Sequence, residues 1–339
     1  MFVVKFDAQG NHIWSQSFGS QPFSFAEATA IAFDATGNLV VGAKANNDIT
    51  LGNKSFTTKS FYDAFVLMMT GGTGGVAWAS QYKEANGQIN GNQQITHLTT
   101  DASSNIYMGG TFSGAICLDA GTSSCADTVG GNNDTDLFVA KLDKSGKVSW
   151  GHIIGTSTND AATEIVVDSA GNVIITGAIG ASFDFGGGLQ NITGAGQHAF
   201  LAKYTNSGAY LNAKIFENSG GSAPSSSGIG LATDAADNIY LAGNMVENVT
   251  LGGDVLINGG PGSASADIFL GKFDAMLTPL WSKSFGDSNL QNAVGLRYDS
   301  AGKRVVLAGQ VAGAVNFGTE ALTGMSPTTA DLALAKFQP

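Results

Sequence analysis

Charge is scarce in this sequence, and positive charge is scarcer. Only 13% of the 339 residues are charged, and 16 Lys and Arg stand against 27 Asp and Glu, a net charge of −11. The arginines are Arg297 and Arg304 alone. A surface of this sign repels phosphate backbones, so no nucleic-acid partner is expected. No apolar run nears the roughly 18 residues that cross a bilayer, so no membrane span is expected. The opening FVVKFD is too short and too soon charged for a signal peptide, so an exported form would have lost its signal ahead of residue 1.

Cysteine is nearly absent. Cys117 and Cys125 lie in CLDAGTSSC, a spacing that fits no zinc or redox motif. A small-loop disulfide between them is expected, with the oxidising compartment that it implies, and two free thiols are the alternative. Catalytic signatures are missing too: there is no G-x-S-x-G, no H-E-x-x-H and no Walker loop.

What is present is glycine, at 47 residues against 6 prolines, together with abundant Val, Ile, Thr and Phe. This composition suggests short strands joined by tight turns. Nearly the same ten residues recur as DATGNLVVGA, DASSNIYMGG, DSAGNVIITG, DAADNIYLAG and DSAGKRVVLAG, opening at Asp34, Asp101, Asp168, Asp234 and Asp299. The intervals of 67, 67, 66 and 65 residues cover the chain and mark a repeat architecture. Each unit reads as four segments. A short apolar strand ends at the Asp, and a second strand follows the Asp-x-x-Gly-Asn turn. After a connector of about twenty residues comes a third strand of the DLFVAKLD type, then a turn such as DKSGK and a fourth strand of the VSWGHIIG type. The connectors repeat as well, placing Cys117 in a column with Thr50, Asp184, Thr250 and Asn316, the polar side of a short strand.

The hairpins of the IAFD-ATGN-LVVG and AFVAK-LDKSG-KVSW types resemble the SBBP-type β-propeller repeats of bacterial secreted and surface proteins, and more distantly NHL repeats. The resemblance spans the chain and implies an extracellular or cell-surface propeller. The predicted fold is therefore all-β, a β-propeller of five blades of four antiparallel strands, forming one domain over residues 1–339. Repeat units fall at about 20–82, 83–155, 156–216, 217–286, and 287–339 with 1–19 completing the last blade and closing the ring. Residues 2–6 and 332–337 both have third-strand character, which leaves one strand surplus and open to pairing with another chain.

Read by column, what recurs is scaffold. Trp14, Trp78, Trp150 and Trp281 share one fourth-strand position, with Asn212 in the remaining unit, and are expected to pack between blades. The Asp before each third strand (Asp63, Asp136, Asp267, Asp331) and the Lys five residues on are scaffold likewise. His198 replaces that Asp and is expected at the surface. Phe65, Phe138, Phe200 and Phe269 read as core.

The inner strands would line a channel, so their non-recurring polar residues are the candidate binding positions. Glu27, Gln94, Asp160, Ser227 and Asn292 (or Gln291) would ring one mouth, and His97 and Glu164 would sit on neighbouring blades as a possible acid–base pair. GGTGG at 71–75 reads as an enlarged hairpin turn. Asn132, Asn133, Asp134 and Asp136 carry oxygens suited to calcium, although the loop lacks the glycine and distal Glu of a calcium motif. The reading that follows is a non-catalytic binding, adhesion or assembly module with a protein or glycan ligand and no cofactor, calcium being the one candidate. The alternative is a glycan-active five-bladed enzyme using Glu27, Asp160 and Glu164, or a lectin, with its site at the channel mouth.

Overall fold

The computed structural model describes residues 1–19, 25–58, 61–83, 91–118, 126–127, 134–220, 224–259, 265–318, 321–324 and 329–338. Its described elements are strands, paired antiparallel apart from one isolated bridge. The chain divides into two compact units, Met1–Ile165 and Val166–Pro339.

The recurrent turn explains why the hairpins form where they do. Asp168 Oδ1 accepts the backbone N–H groups of Ala170 and Asn172 at 3.0 and 2.8 Å, and its Oδ2 accepts the Asn172 amide at 2.9 Å. Asp34, Asp101 and Asp234 hold their turns in the same way. The fourth turn residue takes a positive φ, at Gly37 (82°) and Gly171 (78°), and also at Ser104 (62°) and Asp237 (59°) where no glycine stands.

In the first unit, sheet I runs in the order Ala26–Phe33, Leu39–Ala45, Asp63–Met69 and Val76–Tyr82, and sheet II in the order Asn92–Thr100, Ile106–Ser113, Asp136–Leu142 and Val148–Ile154. An N-terminal hairpin, Phe2–Phe6 with His12–Ser17, stands apart as two strands. Sheet III comprises Ala161–Val167, which carries the unit boundary, with Val173–Ile179, His198–Tyr204 and Tyr210–Ile215. In the second unit, sheet IV is Ser225–Thr233, Ile239–Val246, Asp267–Phe273 and Pro279–Phe285. Sheet V has three strands, Gln291–Asp299, Arg304–Val311 and Asp331–Phe337. The second and third strands are the buried middle of each four-stranded sheet, as their continuous apolar runs require. The connectors fold into small hairpins of their own, such as Ile49–Leu51 with Lys54–Phe56.

The surplus-strand question has an answer at the level of pairing. Asp331–Phe337 takes the third place beside Arg304–Val311, while Phe2–Phe6 pairs with His12–Ser17. The hairpin rests on sheet I: Lys5 Nζ donates to Gly71 O at 2.7 Å and Trp14 Nε1 to the same oxygen at 3.2 Å. Trp78 Nε1 donates likewise to Lys144 O at 3.1 Å, and Asn212 Nδ2 to Met276 O at 2.6 Å. At Trp14, Trp78 and Asn212 this column therefore ties a fourth strand to the next third-to-fourth turn. GGTGG is such a turn, joining Met69 to Val76, and at Gly74 a Cβ would lie 2.6 Å from Trp14 Cε3.

Each first strand with a described register carries a bulge five residues before the turn Asp, so that Thr29, Thr96, Ile229 and Val294 are left out of the pairing. Glycines of the second strand lie beside these bulges, because the Phe of the third strand crosses there: a Cβ on Gly110 or Gly243 would overlap the ring of Phe138 or Phe269. The phenylalanine column is core, with Phe65, Phe138, Phe200 and Phe269 at 0% exposure.

Candidate functional site on the inner strands of sheet I

The bulge changes which residues face the open end of the strands. Gln93, Asp160, Ser226 and Gln291, eight residues before each turn Asp, are all buried. Their N–H groups donate to the residue ahead of the preceding third strand: Gln93 to Tyr62 O, Asp160 to Thr135 O, Ser226 to Gln197 O and Gln291 to Ala266 O, at 2.6–2.9 Å. Their side chains brace loops. Asp160 Oδ2 accepts from the Thr156 N–H and hydroxyl at 2.5 and 2.9 Å, and Gln291 Nε2 donates to Ala312 O at 2.7 Å. Asp160 is thus buried, and its carboxylate is held by the fixed donors that such burial requires.

The next residue along, seven before the turn Asp, is where polar groups reach solvent. Glu27 lies opposite Lys44 in the strand register, and Lys44 Nζ stands 3.4 Å from Glu27 Oε2. The same ammonium donates to Gln94 Oε1 of sheet II at 3.0 Å. It also lies 5.3 Å from the ring centroid of Tyr62, which Phe25 meets edge-on at 5.5 Å. Glu27 and Phe25 are exposed, and Gln94 and Tyr62 are half-buried. The cluster gathers a carboxylate, an ammonium, an amide and two aromatic rings at one end of sheet I. Lys44 escaped the sequence reading because the second strand was read as nearly continuously apolar, and Tyr62 and Phe25 because they stand just ahead of the third and first strands. The signal was available by column, since the places of Lys44 in the other units hold Thr111, Ala178, Asn244 and Gln310, none of them charged.

The remaining candidates fall elsewhere. Ser227 Oγ donates to Gly228 O at 3.1 Å, and Asn292 is half-buried beside Ala293, whose N–H donates to Asn244 Oδ1 at 2.6 Å. His97 is half-buried opposite Gly109, and Glu164 is buried. Their strands are neighbours, joined where the bulged Thr96 hydroxyl donates to Ala162 O at 3.2 Å. Asn132, Asn133 and Cys125 lie outside the described residues. Asp136 is fully buried with its carboxylate packed against Gly155. Among the described residues, no group of three or more His, Cys, Asp or Glu is placed to hold a metal ion. A groove of about 670 Å³ on the second unit passes Gln190, Lys214, Glu217, Thr250 and Pro279, but Glu217 there accepts from Thr193 and Gln190 donates to Ala213 O.

His198 corrects the expectation of a surface residue, being 0% exposed. Its column is the buried base of the third strands, where Asp63, Asp136 and Asp267 lie at most 1% exposed. Its Nδ1 accepts the Asn218 N–H at 3.2 Å, and burial lowers its pKa. Burial pushes the Asp267 carboxyl up to about 6, against the Gly259 N–H that favours its charged form, and the nearby Asp287 charge adds to the rise.

No protein-family model and no curated protein matches the chain. Among solved structures, the quinohaemoprotein alcohol dehydrogenase from Comamonas testosteroni is similar, with a TM-score of 0.51 at 12% identity over 98% of this chain and 56% of that one. The likeness is one of fold. A europium-containing methanol dehydrogenase aligns with a TM-score of 0.40 at 10% identity, covering 92% of this chain and 70% of that one, and carries no argument at that level. The chain spans little more than half the length of the Comamonas enzyme. Taken with the strand order, the likeness supports an all-β, β-propeller-like fold.

It also overturns three expectations. A non-catalytic module, no enzyme activity and no cofactor were read from a repeat scaffold without catalytic motifs. The same kind of scaffold belongs to a protein that is by name a dehydrogenase and a quinohaemoprotein, so scaffold and missing motifs do not support a non-catalytic, cofactor-free reading. Among the described residues, no helix is long and apolar enough to cross a membrane.

Proposed function

We propose that the chain is a glycan-active enzyme whose substrate lies on the Glu27–Lys44–Gln94–Tyr62–Phe25 cluster. The observation that carries this is the position of Lys44 Nζ, 3.4 Å from Glu27, 3.0 Å from Gln94 and 5.3 Å from the Tyr62 centroid. Carbohydrates offer vicinal hydroxyls, which donate to a carboxylate and accept from an ammonium, and C–H faces that stack on aromatic rings. Glu27 is the carboxylate of this cluster that reaches solvent, so it handles the proton in the reaction.

The likeness of fold to an alcohol dehydrogenase favours a second reading, oxidation of a simple alcohol at the same cluster. That chemistry needs a two-electron acceptor. Among the described residues, no group of three or more His, Cys, Asp or Glu stands placed to hold a metal ion for one. A panel of chromogenic glycosides, with primary alcohols and an electron-accepting dye in parallel, separates the readings. Turnover of glycosides that falls at least tenfold in Glu27→Gln at unchanged Tm supports the first, and turnover of alcohols alone supports the second. Wild-type rates in Glu27→Gln would remove the cluster from the reaction in either case.

The finer architecture belongs to the same proposal. The chain is read as one SBBP-type domain of five blades, extracellular or at the cell surface, with a bridge between Cys117 and Cys125 and a glycan as ligand. Supporting this are five successive hairpin-opened sheets and the half-buried, partly polar setting of Cys117. A mass shift of two hydrogens on reduction tests the bridge.

A further inference from the structure

The fourth strand of sheet III, Tyr210–Ile215, has one neighbour in its sheet, and its outward backbone groups are closed at all places but one. Just beyond it, the Phe216 N–H donates inward to Ala199 O at 2.8 Å, so by alternation Ala213, Ile215 and Glu217 turn their N–H and C=O groups outward. Ala213 O accepts from Gln190 Nε2 at 3.0 Å, and its N–H donates to Asn212 Oδ1 at 2.9 Å. Glu217 O accepts from the Thr250 N–H at 2.9 Å. Among the described residues, nothing pairs with Ile215 on that side.

The opening is a ladder cut short. Asn248–Leu251 pairs antiparallel with Asn218 and Ser219 and reaches Glu217 through Thr250, then turns away at Gly252 (φ 74°), where a Cβ would overlap Pro279. The groove of about 670 Å³ lies along the edge that this leaves free. Its walls carry opposite charges. Lys214 shares a strand face with Asn212 and Phe216, which touch sheet IV at Met276 O and the Phe273 ring, so it stands on the Pro279 side. Among the described residues it has no acidic partner. Glu217 lies on the other face, its carboxylate oxygens accepting from the Thr193 N–H and hydroxyl at 3.3 and 3.2 Å, each with a lone pair to spare. These charges are not scaffold. The places of Lys214 and Glu217 hold Ser80 and Lys83 in sheet I, His152 and Gly155 in sheet II, and Lys283 and Gly286 in sheet IV. A cation and an anion bracket the open residue in sheet III alone among the four.

We propose that this groove binds a short peptide with free ends as an added antiparallel strand. The closed groups of Ala213 and Glu217 set its length, because only the places opposite Lys214, Ile215 and Phe216 are open: a tripeptide, about 10 Å at about 3.4 Å per residue. Its middle residue exchanges both backbone hydrogen bonds with Ile215. Running antiparallel, its ammonium falls beside Glu217 and its carboxylate beside Lys214. A parallel peptide would set like charges together at both ends, so charge fixes the direction.

Titration calorimetry of the full chain with trialanine tests this, since recognition is by backbone and chain ends and needs no particular side chain. Trialanine binds saturably, and N-acetyl-trialanine amide binds at least about tenfold more weakly. Lys214→Met no longer distinguishes trialanine from trialanine amide, and Glu217→Gln no longer distinguishes it from N-acetyl-trialanine, both at wild-type Tm. No binding of trialanine up to about 10 mM, or equal affinity of the wild type for free and blocked peptides, overturns the proposal. Hydrogen exchange reports the place independently of those variants. The Ile215 amide gains protection when trialanine is bound, and an unchanged Ile215 amide at saturation would put the peptide elsewhere and likewise overturn it.

Discussion

At the scale of single residues, the buried ionisable groups set opposite pH limits. Lys203 Nζ lies 2.9 Å from Asp168 Oδ2, with both side chains at most 5% exposed. Burial opposes the Asp168 charge, but Lys203, Asn172 and the turn amides outweigh it and hold the pKa below 3.8. Stability from this group is therefore present above its unfolded pKa and is lost as pH falls through the lower folded value. Asp267 is the reverse case. Its pKa of about 6 means that the stability linked to its proton is complete below pH 3.8 and is lost as pH rises through 6. Thermal unfolding between pH 5 and 7.5 should show wild type losing about 1.4 kcal/mol of stability relative to Asp267→Asn, the part of the shift that titrates in this window at about 1.4 kcal/mol per pKa unit. Parallel curves for the two proteins would mean that Asp267 is ionised across that range. Removing one member of the buried pair, in Lys203→Met, should cost about 3–5 kcal/mol, and the added change Asp168→Asn should recover part of it, as read from chemical denaturation.

At the scale of elements, the turns were legible and the bulges were not. An Asp followed four residues later by Asn states its own hydrogen bonds, which is why Asp34, Asp101, Asp168 and Asp234 located their hairpins directly. The bulged Thr29, Thr96, Ile229 and Val294 are all β-branched, as ordinary strand residues are, so their residue types do not announce that the strand slips there. Asp160 stands one residue farther from its turn Asp than Glu27 and Gln94 do from theirs, and strand alternation turns it to the buried side. His198 was misplaced for a different reason, since an Asp column looks exposed until the sheet base is seen to bury it. A paired change was readable: in the unit where His198 replaces Asp, Glu217 replaces the glycine found at Gly155 and Gly286. The docking of the N-terminal hairpin rests on Trp14, 7% exposed against Gly74 and bonded to Gly71. Trp14→Ala should cost about 3–5 kcal/mol where the hairpin's docking contributes to global stability. It should also raise amide exchange across residues 2–17 before the rest of the chain, and uniform exchange would show that the hairpin does not depend on this contact.

At the scale of the whole molecule, the repeat made the all-β class and the four-strand order legible, because five copies of one hairpin leave few alternatives. Function was less legible, since a repeat advertises its scaffold and hides what occurs once. Lys44, Tyr62 and Phe25 each occur in a single unit, and three dimensions were needed to bring them beside Glu27 and Gln94. The proposed substrate site depends on Lys44 as the group that touches the others. Calorimetric binding of the glycan identified by the turnover panel, compared between wild type and Lys44→Met, tests this most directly. The account predicts an affinity at least tenfold weaker in the variant, about 1.4 kcal/mol, with Tm unchanged. Equal affinities at equal Tm would contradict it and place the substrate elsewhere on the chain.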